Sequence, residues 1–104
     1  MYDNDMENVF DHKGEFFRVL TGTDLSQTAV MTIPPGGDSG PEELHSGDQI
    51  VYIIEGKARV KIGEDAFPMR AGDVAVVPKE TRHHIRNDGD TPLFFFTVYA
   101  PPQY

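Results

Sequence analysis

Apolar and β-branched residues of this 104-residue chain gather in short runs, at 16–20, 28–33, 49–54, 58–62, 66–70, 74–77, 83–86 and 93–100. Turn-forming clusters stand between them: Pro34-Pro35-Gly36-Gly37, Ser39-Gly40-Pro41, Glu55-Gly56, Gly63-Glu64-Asp65, Ala71-Gly72-Asp73 and Asn87-Asp88-Gly89-Asp90. Short runs at close, regular spacing with turn signals between them predict an all-β sandwich or barrel. No window sustains a 3.6-residue period, so no substantial helix is expected. Residues 1–14 are mostly polar and read as a loosely held N-terminal arm, which leaves 15–104 as a single β domain. Gly56 is expected in a tight hairpin turn. Pro78 is expected to close a strand where no ladder donor is needed.

Two runs lack polar relief. Ile50-Val51-Tyr52-Ile53-Ile54 and Leu93-Phe94-Phe95-Phe96-Thr97-Val98-Tyr99 carry apolar side chains at both parities. One face of each lines the interior, so the other needs a second cover, from a packed sheet or a partner subunit. A homodimer with Ile50, Tyr52 and Ile54 at the contact is the expectation. On the last run, either Phe95, Thr97 and Tyr99 or Phe94, Phe96 and Val98 must face inward.

Charge and composition narrow the partners. The formal net charge of −8 opposes attraction to nucleic acid or to an anionic membrane. There is no cysteine, so disulfides and thiolate metal sites are excluded. The first residues are acidic without an apolar core and do not read as a signal peptide. No apolar run approaches the roughly 20 residues of a membrane span. A cytoplasmic location is the expectation.

The chemistry lies in two spaced motifs. Gly37 is followed by Glu43, His45, Gln49 and Gly56; after a spacer, Gly72 is followed by Pro78, His83 and Asn87. Glu43 and His45 share a parity in extended chain, as do Gln49, Val51 and Ile53. His83, on a later strand, would enter from the opposite sheet. Two imidazoles, a carboxylate and an amide oxygen suit a divalent first-row metal: iron, manganese, nickel or zinc. The alternative is that Glu43 and Gln49 only hydrogen-bond within a polar pocket that holds no metal. His84 has the opposite parity to His83 and belongs outside, as do Arg82 and Arg86. His12 is expected in solvent, and Glu42 and Asp48 flank the site.

This spacing resembles the paired motif of the cupin family, Gly-x5-His-x-His-x3-Glu-x6-Gly followed by Gly-x5-Pro-x-Gly-x2-His-x3-Asn. Gly37, His45, Gly56, Gly72, Pro78, His83 and Asn87 match it. Glu43 stands at a histidine position, Gln49 at the glutamate position and Glu80 at a glycine position. The resemblance implies a jelly-roll or double-stranded β-helix barrel, with Glu43, His45, Gln49 and His83 as metal ligands. Exchanging the glutamate for Gln49 removes a negative charge, and Glu43 restores one at another corner. Met31, Val51, Ile53, Phe95 and Tyr99 are expected to wall a small-molecule pocket beside the metal. The fold hosts many activities, so the function is open: a metal-dependent dioxygenase, a sugar or keto isomerase, or a non-catalytic module that binds or senses a small ligand. Phosphorylated sugars are disfavoured by the acidic charge and by the absence of an inward basic cluster.

Overall fold

The computed structural model describes residues 6–104. Its strands are β1 (Phe17–Gly22), β2 (Gln27–Ile33), β3 (Asp48–Glu55), β4 (Lys57–Ile62), β5 (Asp65–Arg70), β6 (Val74–Val77), β7 (His83–Asn87) and β8 (Leu93–Ala100). The larger sheet runs β1-β2-β8-β3-β6 and the smaller β5-β4-β7, and every named pairing is antiparallel. Two sheets closed face to face in this order form the double-stranded β-helix barrel. Each strand falls within a residue or two of its apolar run, and the only helix among the described residues is a 3-10 turn, Val9–His12.

Alternation decides the interior. On β8, Leu93, Phe95, Thr97 and Tyr99 point inward and are buried. They stand opposite Ile33, Met31, Ala29 and Gln27 of β2. On β3 the inward set is Gln49, Val51 and Ile53, with Gln49 beside Tyr99 and Ile53 beside Phe95. Val60, Met69 and Ile85 of the smaller sheet complete one apolar core with Ile33, Val51, Ile53, Leu93 and Phe95. Burying such a side chain contributes about 1.5–3 kcal/mol, so this cluster holds the two sheets together.

Gly56 does not sit in a hairpin. β3 pairs with β6 and β8, whereas β4 pairs with β5 and β7, so Gly56 carries the chain from one sheet to the other. It does so at φ +94, and a Cβ there would lie 2.7 Å from the Pro92 carbonyl oxygen. Positive φ and that close backbone both require glycine. Asn87, at the end of β7, fastens the return: its amide donates to the Ile33 and Thr91 carbonyls, and its Oδ1 accepts from Gly89 N–H.

The outer face of the larger sheet is covered in part by the chain itself. Leu20, Val30 and Phe94 form a second buried cluster with Val9, Ile54 and Phe96 against it, and Phe10 packs on Phe94 at 5.9 Å between ring centres. The described part of the N-terminal arm is therefore a cover for β8, capped by Asn8 on Phe10 N–H and tied to β3 by the Lys13–Glu55 ion pair. Residues 1–5 of the expected arm lie outside the described residues. His12 is held between Glu7 and Glu15, at 2.7 and 2.8 Å, instead of lying free in solvent. These two carboxylates raise its pKa. The other half of that face, Ile50, Tyr52, Val74 and Val76, remains exposed.

Candidate functional site

The long connection from β2 to β3 builds one wall of the site. It lies along β7 as an added edge: Glu43 and His83 exchange backbone hydrogen bonds at 3.2 and 2.9 Å, and Ser39 N–H donates to Ile85 O. His45 is fixed by the turn after Pro78, where Glu80 N–H donates to the His45 carbonyl at 2.6 Å. Glu80 reaches that position at φ 59, the left-handed region. This is the place where the family motif carries glycine, and a non-glycine residue there costs about 1–2 kcal/mol. Gly47 then brings the chain against β8; a Cβ on it would stand 2.3 Å from Ala100 O.

Glu43, His45, Gln49 and His83 all reach the wall of one cavity of about 220 Å³, together with Met31, Phe95, Thr97, Tyr99, Phe17 and Tyr104. The His45 and His83 ring centres are 5.1 Å apart. His83 Nδ1 lies 3.1 Å from Thr81 O; a carbonyl only accepts, so Nδ1 is the donor. His45 has a lowered pKa, first because it is buried and then because His83 is beside it, so it is held neutral. Glu43 Oε2 is 3.7 Å from His45 Nε2.

Two expected pocket residues are elsewhere. Val51 and Ile53 do not line the cavity; they are fully buried in the apolar core. The parity that turns Gln49 inward turns them inward as well, but each step of two residues advances about 7 Å along the strand, away from the opening. Met31, Phe95 and Tyr99 do line it. His84 lies outside, 3.6 Å from Asp38. Arg86 pairs with Asp88 and Glu42 with Lys61.

The residue that sequence reasoning misses is Tyr104. It follows β8 beyond Pro101-Pro102, where no strand periodicity applies. Gln27, fully buried on β2, accepts from the Gln103 and Tyr104 N–H groups and donates to Tyr104 O at 2.7 Å. That clamp lays the Tyr104 ring over Phe17, Tyr99 and His45, and its hydroxyl donates to Glu43 Oε2 at 2.9 Å. Burial, then this bond to Glu43, pushes the Tyr104 pKa up to about 12. Burial, with Tyr104 next to it, also drives Tyr99 far above the usual range. Both stay protonated as hydrogen-bond donors.

The donor set fits a divalent metal, though loosely. His45 presents a neutral imidazole, and the His83 ring lies beside it, bonded to Thr81 O through Nδ1. Gln49 is 4% exposed, gives Nε2 to Thr97 Oγ1 at 3.0 Å, and leaves Oε1 as the one buried side-chain atom without a hydrogen-bond partner among the described residues. An oxygen so placed matches a ligand or a metal ion, since both take its lone pairs. Glu43 is turned to Tyr104 instead, and among the described residues no three His, Cys, Asp or Glu side chains stand together as a ready metal cluster.

The cupin domain family matches residues 29–99, and the chain belongs to that family. It is 34% identical over 95 residues to polyketide synthase CurC of Streptomyces cyaneus, covering 85% of this chain and 62% of that protein. It is 35% identical over 70 residues to an oxalate-binding protein of Thermotoga maritima, covering 67% of this chain and 58% of that protein. The chain thus spans about three fifths of these curated relatives. The crystal structure of BH2720 from Bacillus halodurans matches with a TM-score of 0.87 at 30% identity, covering 95% of this chain and 82% of that one.

Proposed function

We propose that this cupin binds a small organic molecule at a divalent metal held by His45, His83 and the Gln49 amide oxygen, with Glu43 as the exchangeable fourth donor. The observation that carries the reading is the unpartnered Gln49 Oε1, on a residue that lines the same cavity as the His45 and His83 imidazoles. A metal ion there would act as a Lewis acid on a substrate oxygen. The chain's own residues supply the rest. Met31, Phe95 and Phe17 exclude water from the ligand body, His83 is oriented by Thr81, and Glu43 and His45 are the groups able to take a proton. Iron, manganese, nickel and zinc are the ions this donor set suits.

Dioxygenase and keto or sugar isomerase chemistry are the two enzymatic forms of this reading. A non-catalytic binding or sensing module is the competing reading: both cavity tyrosines are held protonated, which leaves any proton transfer to Glu43 and His45. Metal analysis of protein purified without chelator is the first test, with stoichiometric metal expected. Retention of that metal in the double variant His45→Ala/His83→Ala overturns the site. Iron-, manganese-, nickel- and zinc-loaded protein is then assayed for oxygen uptake with diketones and catechols and for isomerisation of free aldoses. Turnover lost in Glu43→Ala and His83→Ala makes it an enzyme; tight ligand binding without turnover makes it a binding module.

The homodimer belongs to the same proposal. Ile50 and Tyr52 of β3 with Val74 and Val76 of β6 form an exposed apolar face on one sheet edge, which an isologous contact would bury. Sedimentation equilibrium at micromolar concentration checks it, and a stable 11.6 kDa species rules it out. No helix among the described residues is long and apolar enough to cross a membrane.

A further inference from the structure

The outer face of the smaller sheet carries charge in a pattern that the fold does not require. Alternation turns eight positions outward on β4, β5 and β7; five are Lys57, Arg59, Lys61, Arg70 and Arg86, a sixth is His84, and none is a carboxylate. The whole chain has nine lysines and arginines against 17 acidic residues, so more than half of its cations share this one face. They also stand against each other. Lys57 is directly opposite Arg70, Arg59 opposite Arg86, and Lys61 opposite His84, which brings no negative charge. Like charges directly opposite, with Cβ atoms about 5 Å apart, destabilise a sheet. The nearby carboxylates stand at the rim: Glu42 takes Lys61, Asp38 lies 3.6 Å from His84 and Asp88 takes Arg86, while Asp90 shares an open cleft with Lys57 and Arg70. Among the described residues Lys57, Arg59 and Arg70 form no ion pair. Charge on an edge strand guards against strand addition, but β4 is the middle strand of the three, so that need does not account for it.

We propose that this face docks an extended acidic segment of another protein, one with carboxylates at alternate positions, lying along β4 over Arg59 and the cations around it. Lys57, Arg59 and Lys61 repeat every two residues, about 7 Å, which makes the patch about 14 Å long. An extended segment presents alternate side chains at the same repeat, so three of its carboxylates meet the three rows of cations. The forked guanidinium donors of Arg59 and Arg86 suit carboxylate oxygens. The segment lies across the face instead of joining the edge, because β5 carries Pro68 there, which has no N–H for an added strand. A long polyanion such as nucleic acid would run past the patch onto the rest of a chain of net charge −8, which repels it. A short acidic segment ends at the rim. His83 and Ile85 of the same β7 line the cavity on the inner side, so docking leaves the cavity clear, and the inference is independent of the metal reading.

The test titrates the full chain with two acetylated, amidated peptides of the same composition and charge, Glu-Thr-Glu-Thr-Glu and Thr-Glu-Glu-Glu-Thr, followed by amide NMR shifts at low salt. The alternating peptide is expected to bind at least about threefold more tightly, since contiguous carboxylates turn to both sides of an extended chain. Its shifts should fall on β4, β5 and β7. Raising the salt from about 0.01 M to about 0.1 M, which shortens the Debye length from about 30 to about 10 Å, should weaken it severalfold. Arg59→Gln is expected to lower the affinity about three- to fivefold and Arg59→Glu at least about tenfold. Arg59→Glu also sets an opposite charge against Arg86, so its thermal midpoint without peptide is expected to equal or exceed that of the wild type. A residue that merely held the sheet together would lower both. A lower midpoint in Arg59→Glu overturns the like-charge argument, and equal affinity for the two peptides overturns the alternating segment. A single-stranded oligonucleotide of the same charge that binds this face more tightly overturns the proposal in favour of nucleic acid. Sedimentation equilibrium of Arg59→Glu is expected to match the wild type; loss of self-association overturns the proposal in favour of a second copy. Binding of neither peptide overturns it outright.

Discussion

The two ends of the barrel interior are built from the same strands and have opposite character. At the closed end β3 contributes Val51 and Ile53, and β8 contributes Leu93 and Phe95, all buried among apolar neighbours. At the open end the same two strands contribute Gln49, Thr97 and Tyr99. The irregularities cluster at the open end: the unpartnered Gln49 oxygen, the left-handed Glu80 and a pair of imidazoles in contact. Proteins tolerate such departures where function requires them and offset them elsewhere. The closed end supplies stability, and the open end spends part of it on a shaped, polar cavity.

If that division is right, truncation at the closed end should be the most damaging change. Ile53→Ala is expected to lose about 2–5 kcal/mol of unfolding free energy by leaving a cavity in packed surroundings, measured by urea unfolding of chelator-treated protein. His83→Ala, at the open end, is expected to cost less than about 1.5 kcal/mol, the loss of its hydrogen bond to Thr81, while abolishing metal retention. A loss as large as that of Ile53→Ala would make His83 part of the core and erase the contrast. Gln49→Met sharpens it further. Removing a buried oxygen that lacks a partner should leave the metal-free protein at least as stable as wild type, with a gain of up to about 1 kcal/mol. Marked destabilisation would mean the amide is structural. The smallest effect is expected for Glu80→Gly. Relief of the left-handed strain is partly offset by the greater freedom of glycine in the unfolded chain, for a net gain of about 0.5 kcal/mol, seen as a rise in thermal midpoint.

Much of the barrel was legible because strand formation is local. The apolar runs at 28–33, 49–54 and 93–100 became β2, β3 and β8 with little change of boundary. Pro78 follows the last residue of β6, since proline cannot extend the ladder. The motif spacing likewise brought Glu43, His45, Gln49 and His83 to one cavity. Gly56 was misread because a glycine turn between two runs looks the same whether the strands pair with each other or part into different sheets. Val51 and Ile53 were misassigned because alternation gives the side of a strand and says nothing of depth along the barrel axis.

The sequence alone determined an all-β domain with paired motifs, the inward parity of β3, and the donor types available to the site, since each depends on neighbours a few residues apart. Only the tertiary structure decided that Phe95, Thr97 and Tyr99, and not Phe94, Phe96 and Val98, face inward. Both sets are apolar enough, and the choice was made by what covers the other side: the N-terminal turn, with Phe10 on Phe94. It also decided that Tyr104 reaches back across 61 positions to take Glu43, and that Gln49 meets Thr97 across 48. Such bonds exist only once the barrel has closed and brought the donors within about 3 Å of their acceptors.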